Sequence, residues 1–146
     1  MFKHIVIATD GSPASQNAAQ LAVGLARAHG SKLTAIFVVD PYPYLGVGEI
    51  NPQGFQAYMS AAQAQASEAH AKVDALCKAG DKPVDLEVRL VEEVGAASGI
   101  VQTAAAIGAD LIVLGSHGRG GVARLMLGSV STKVVAESKV PVLVAR

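Results

Sequence analysis

The sequence predicts one doubly wound α/β domain spanning residues 1–146, with a five-stranded parallel sheet in the order 3-2-1-4-5 and helices on both faces, a Rossmann-like arrangement. Three observations carry this. Five short apolar runs alternate with four segments of helical period, which is the rhythm of successive βαβ units. The strongest runs are almost continuously apolar instead of alternating, as strands covered on both faces must be. Glycines and helix-cap residues stand at the boundaries between the two kinds of segment.

Taken in order, residues 3–9 form the first strand around His4, Ile5, Val6 and Ile7. Ser12 and Pro13 then supply an N-cap and a proline at the first helical position. Ala18, Leu21, Ala22 and Leu25 recur at helical spacing up to Gly30, a residue suited to a left-handed C-terminal cap. Residues 32–39 are the second strand. Ala62, Ala66, Ala69, Val73, Leu76 and Cys77 make one face of a long alanine-rich helix closing at Gly80. Residues 85–91 alternate less cleanly, as a strand nearer an edge would. Ile100, Val101 and Ala104 mark a helix ending at Gly108, and residues 110–114 are a short buried strand. Val130, Val134 and Val135 mark the last helix, and residues 140–145 the last strand, where Pro141 suits an edge position.

Composition narrows the function. Twelve basic and twelve acidic side chains leave a formal net charge of zero, which argues against broad electrostatic binding to nucleic acid or to an anionic membrane. No apolar run approaches the roughly 18 residues of a membrane helix. The chain enters its first strand directly, without the apolar region and cleavage site of a signal peptide, so a cytoplasmic protein is expected. Cys77 has no internal disulfide partner and sits on an apolar stripe, as a small core residue does. No Cys/His spacing suggests structural zinc.

The chemistry is concentrated near the end, in Gly115-Ser116-His117-Gly118-Arg119-Gly120-Gly121 and then Gly128-Ser129-Val130-Ser131. Glycines permit positive φ and close approach of a ligand to the main chain, so successive N–H groups can converge on an anion. The Gly128-Ser129 pair opens a helix whose free N–H groups and dipole favour a phosphate. With strands one and four adjacent at the reversal of strand order, Asp10 faces this loop and adds a carboxylate beside the cradle. A Walker P-loop is excluded, because no Gly-Lys dipeptide occurs in the chain. Residues 118–123 match a loose dinucleotide fingerprint, but Glu137 falls within the last helix, where that fingerprint requires an acid at the end of the next strand.

The arrangement that fits is Gly115, two residues, Gly118, nine residues, then Gly128-Ser129. In this the chain resembles the universal stress protein family, in its ATP-binding branch. The resemblance runs end to end and includes Ile5-Val6-Ile7-Ala8-Thr9-Asp10-Gly11-Ser12, Val38-Val39-Asp40, residues 109–115 and Val140-Pro141-Val142-Leu143-Val144. A second branch of that family lacks the glycines and does not bind ATP. The resemblance implies that Ala8, Thr9, Asp10 and Val38 contact the nucleoside, Val38 through main-chain groups to adenine. It implies that Leu114 and Gly115 flank the ribose and α-phosphate, and that Gly118, Gly128, Ser129 and Val130 hold the phosphate chain. The hydroxyls of Ser129 and Ser131 would meet a Mg²⁺ carried by the phosphates. It also implies a homodimer through the edge of the last strand. His117 and residues 119–124 receive no role from it.

Plainer readings stand beside these. Asp10 can brace the Gly11-Ser12 turn, and Ser129 can serve as a simple N-cap, with a geometry that overlaps a phosphate contact. His117 has no carboxylate partner nearby in sequence, which favours a loop histidine near the phosphates over a general base. Arg119 and Arg124 either screen phosphate charge or are solvated. Residues 40–52, with Tyr42 and Tyr44, either cover a ligand or pack on the second helix. Lacking a P-loop lysine and a water-positioning base, the chain is expected to act by binding ATP, or ADP or AMP, as a stress-response or regulatory protein with no catalytic residues. The alternatives are a slow ATPase or nucleotide-transferring enzyme, and an interaction module for an unknown protein partner in which nucleotide is incidental.

Overall fold

A computed structural model describes residues 1–39, 52–92, 94–117 and 127–146. The sequence expectations for residues 40–51, Gly118, Arg119 and Arg124 lie outside the described residues. The elements are β1 (His4–Ala8), α1 (Pro13–His29), β2 (Lys32–Val38), α2 (Pro52–Lys78), β3 (Leu86–Val91), α3 (Ala96–Ala106), β4 (Leu111–Gly115), α4 (Ser129–Glu137) and β5 (Val142–Ala145). They form one parallel sheet in the order β3-β2-β1-β4-β5.

The period-2 alternation of the strands sorts their side chains into two cores. Ile5, Ile7, Leu33, Ala35, Leu111 and Val113 point to one face, where α1 and α2 cover them with Ala18, Ala22, Val23, Ala26, Val73 and Cys77. Val6, Ile36, Ile112 and Leu114 point to the other, beneath Ile100 and Ala104 of α3 and Val134 of α4. Cys77 is therefore the buried core residue its stripe implied, and burial pushes its thiol pKa up.

Local chemistry fixes the helix ends. Ser12 is the N-cap of α1, accepting from the Ser15 amide, and Pro13 follows it. Gly30 takes the left-handed conformation at φ 67°, which removes any Cβ penalty where the chain turns into β2. The C-terminal carbonyls of α2 are satisfied by a side chain from a different helix. The Arg27 guanidinium of α1 donates to the main-chain oxygens of Leu76, Cys77, Ala79 and Lys82. α2 begins at Pro52, ahead of the apolar face that starts at Ala62, because Tyr58 and Met59 extend that face onto Phe37 and Val39.

Four strands, β1, β2, β3 and β5, are shorter than the stretches read for them in the sequence. β5 starts at Val142, not Val140, because Pro141 has no N–H and the Ser138 hydroxyl bonds both the amide and the oxygen of Val140. β3 starts at Leu86 and lies at a sheet edge, where Val88 and Leu90 remain exposed. Reversal of strand order falls between β1 and β4. The chain runs from β1 outward through β2 and β3, returns to β4, and then runs to β5 on the other side. The crossovers therefore diverge beyond the carboxyl ends of β1 and β4, leaving a crevice.

Candidate functional site

The crevice holds a cavity of about 110 Å³. Ala8, Thr9 and Asp10 line it from the end of β1, Ile36 and Val38 from β2, and Leu114 and Gly115 from β4. Val130 and Ser131 of α4 close one side, Ala96 and Ile100 of α3 another, and Ser15 and His117 complete it. Eight of the residues singled out from the sequence thus share one cavity. Gly128 and Ser129 flank it in the turn leading into Val130, without lining it.

The turn after β1 is held by its own side chains. Asp10 Oδ1 accepts from the Ser12 amide at 2.8 Å, and Gly11 between them has φ 79°, a conformation a Cβ would strain. The Gly11 amide donates to Thr9 Oγ1, which lies 3.3 Å from Ser15 Oγ, and the Ser15 hydroxyl donates to the Ser12 oxygen. Thr9, Ser12 and Ser15 are all buried. Asp10 therefore braces the turn and lines the cavity at the same time.

Strand register sets what Val38 offers. Main-chain groups in a strand alternate sides, and on β2 those of Leu33 and Val39 turn to β3 while those of Ile36 turn to β1. Val38 shares the side of Ile36. Its partner strand has ended by then, since Ala8, paired with Ile36, is the last residue of β1 and the Gly11 amide is taken by Thr9. An N–H and a C=O of the same residue thus face the crevice.

The helix N-termini at this end of the sheet are unequal. In α1 the proline has no N–H, the Ser15 amide is capped by Ser12 Oγ, and the Gln16 amide bonds the Ser12 oxygen, leaving Ala14 alone. In α4 no side chain caps the first turn, and the first intrahelical bond runs from Thr132 to Gly128. The amides of Ser129, Val130 and Ser131 remain without a partner within the helix, at the positive end of its dipole. This turn is also fixed in place. The Gly128 amide donates to the Ser116 oxygen at 2.7 Å, and the Ser131 hydroxyl donates to the Gly115 oxygen at 2.7 Å.

Two sequence expectations need correction. Gly128, not Ser129, is the N-cap of α4, and Ser129 is its exposed first residue. Positive φ is not what calls for glycine at 115 or 128, since the positive-φ glycines described are Gly11, Gly30, Gly80 and Gly108, and Gly128 has φ −64°. Space is the reason. A Cβ on Gly115 would sit 2.9 Å from the Ala14 oxygen, and one on Gly128 would sit 3.1 Å from the Ser116 oxygen, both rigid main chain.

Sequence reasoning omitted Ser15, Ile36, Ala96 and Ile100 from the site and placed His117 near the phosphates without a fixed role. Ile36 and Ile100 read simply as core residues, and only the sheet topology brings them to the crevice. His117 Nδ1 shares a 3.1 Å hydrogen bond with Ser116 Oγ, while its buried Nε2 has no partner. Among the described residues no cluster of three His, Cys, Asp or Glu side chains is placed to hold a metal ion, and no helix is long and apolar enough to cross a membrane.

The comparisons with known proteins agree with this geometry. The model of the universal stress protein family matches residues 1–146. A universal stress protein of Thermus aquaticus is 38% identical, with all of both chains covered. The solved universal stress protein UspA from Lactobacillus plantarum superposes with a TM-score of 0.81 at 27% identity, over 99% of this chain and 97% of that one. A universal stress protein solved in complex with cAMP superposes with a TM-score of 0.66 at 28% identity, over 99% of this chain and 97% of that one. The chain belongs to the universal stress protein family.

Proposed function

We propose that this protein binds an adenine nucleotide, ATP in preference to ADP or AMP, in the crevice between β1 and β4, and that it acts as a regulator through binding. The observation that carries this reading is the uncapped first turn of α4, stapled beside the cavity with three amides available to an anion. The Val38 N–H and C=O supply one donor and one acceptor, the complement of the N1 and N6 edge of adenine. Ala8, Ile36, Ile100 and Leu114 supply apolar walls for a purine. Thr9 and Asp10 then meet the sugar, Leu114 and Gly115 flank the ribose and first phosphate, and Gly118, Gly128, Ser129 and Val130 hold the phosphate chain. The relative solved with cAMP supports a nucleotide of this base.

Mg²⁺ would neutralise charge on the outer phosphates, and an oxygen-rich site suits it. The exposed Ser129 hydroxyl fits as an oxygen ligand, and the Ser131 oxygen keeps its lone pairs for the same role because its proton is donated to Gly115. In this reading the protein pairs as a homodimer through the exposed edge of β5, where Val142, Leu143 and Val144 are half-buried. Mass spectrometry of nucleotide released from gently purified protein, followed by titration calorimetry with ATP, tests the binding. No released nucleotide together with no ATP binding at millimolar concentration would sink it. Sedimentation of a monomer at micromolar concentration would sink the dimer.

A further inference from the structure

The turn that presents Asp10 is held from outside the crevice by a residue of α2. Lys72 Nζ donates to the Gly11 main-chain oxygen at 3.2 Å. Among the described residues this ammonium also pairs with Glu68, one helical turn away with Oε1 at 3.6 Å. Gly11 O and the Ser12 N–H belong to one peptide plane, and in a trans peptide they point in opposite directions. The N–H end is bonded to Asp10 Oδ1 at 2.8 Å. One peptide is thus gripped at both ends, by the Asp10 carboxylate on one side and by the Lys72 ammonium on the other. A cation on the carbonyl also polarises the N–H toward the carboxylate, so the two bonds reinforce each other. Gly11, at φ 79° and without a Cβ, restrains that plane less than another residue would.

We infer that Lys72 is a positioning residue for nucleotide binding, setting the orientation of the Asp10 carboxylate through the Gly11–Ser12 peptide without touching the ligand. This rests on the nucleotide reading above. It makes α2 a lever on the site. Neutralising the Lys72 amine, by substitution or by chemical acylation, releases one end of the plane.

The test uses the full chain with Lys72→Met, which keeps the apolar stem, and Lys72→Arg, which keeps the charge. In the unliganded protein the Ser12 and Gly11 amide resonances are expected to move in Lys72→Met and to return toward wild type in Lys72→Arg. ATP affinity is expected to fall about threefold to tenfold in Lys72→Met at unchanged melting temperature, with most of it restored by arginine. Unmoved Ser12 and Gly11 resonances in Lys72→Met would overturn the inference whether or not ATP binds. So would an ATP affinity in Lys72→Met equal to that of a wild type that binds. Amide shifts as expected in a protein that binds no nucleotide would leave the tether standing and remove the nucleotide reading.

Discussion

The Ser131 hydroxyl donates a 2.7 Å hydrogen bond to the main-chain oxygen of Gly115, joining the first turn of α4 to the last residue of β4. Ser131 is buried and Ser129, two residues earlier, is exposed, so the two hydroxyls have separable tasks.

Ser131→Ala should cost stability and affinity together. It leaves a buried carbonyl short of a donor, worth about 1 kcal/mol, or a melting temperature lower by about 2–4 °C in a domain of this size. Ser129→Ala should leave melting unchanged while weakening ATP binding about tenfold, the worth of one charge-assisted hydrogen bond. Calorimetric melting and ATP titration on both variants decide. Equal melting temperatures for the two variants would refute the division of labour.

Gly115→Ala is expected to destabilise the fold even without ligand. The added methyl meets the Ala14 oxygen at 2.9 Å and the Ser15 nitrogen at 3.2 Å, so the start of α1 or the end of β4 must move, at about 1–3 kcal/mol. Gly128→Val should likewise disturb the closure of α4 on Ser116 and lower the melting temperature, so its loss of ATP binding will not come with an intact fold. A Gly115→Ala protein that melts like wild type would show that the close approach is unimportant.

Much of this architecture was legible in the sequence because local signals agreed. The Ser12-Pro13 cap, Gly30 and the continuous β-branched run of β1 each specify their element without help from the rest of the chain. Residues at the ends of β1 and β4 were legible too, since a doubly wound sheet has one reversal point. What the sequence could not show depends on contacts remote in the chain. Gly115 reads as a conformational glycine until α1 is seen 2.9 Å away. Ile100 and Ile36 read as core until the crevice is seen between them. The start of β5 was misplaced by two residues because the Val140 run continues the apolar pattern while Pro141 and Ser138 break the ladder.

Acid should erode stability in two stages. Burial lowers the pKa of His70 from 6.5, and its Nε2 is buried without a partner. The unfolded chain therefore takes a proton that the folded one resists, and stability present above about pH 6.5 falls as pH drops toward the folded value. Burial alone would raise the Asp110 pKa, but the Lys3 and His4 amides donating to its carboxylate outweigh that and hold it below its ordinary range. Its contribution is present above about pH 4 and is lost as pH falls through the depressed folded value. Urea melts from pH 8 to 3 should show His70→Phe flattening the first stage and Asp110→Asn the second. Identical slopes between pH 7 and 5 for wild type and His70→Phe would refute the assignment.

Phosphate release from ATP should be far slower than the roughly 1 s⁻¹ at the low end of ordinary enzymes. Rate in phosphoryl transfer comes from positioned cations and an oriented nucleophile. No carboxylate is bonded to the His117 ring among the described residues, where its Nδ1 meets Ser116 instead, and Asp10 is engaged with the Ser12 amide. Multiple turnover near that rate, abolished in His117→Ala, would instead make this protein an ATPase.

Arg27 gives the two wings of the sheet unequal mechanical character. By gripping Leu76, Cys77, Ala79 and Lys82, a single guanidinium welds α1 to the bend that delivers the chain into β3. The wing of β2 and β3 is thereby cross-linked through polar bonds far from the crevice. The wing of β5 leans on apolar contacts and on the staple at the crevice itself. Amide hydrogen exchange would then find α4 and β5 opening ahead of the rest, and any molecule seated against α4 would tighten the half of the protein that is otherwise loosest.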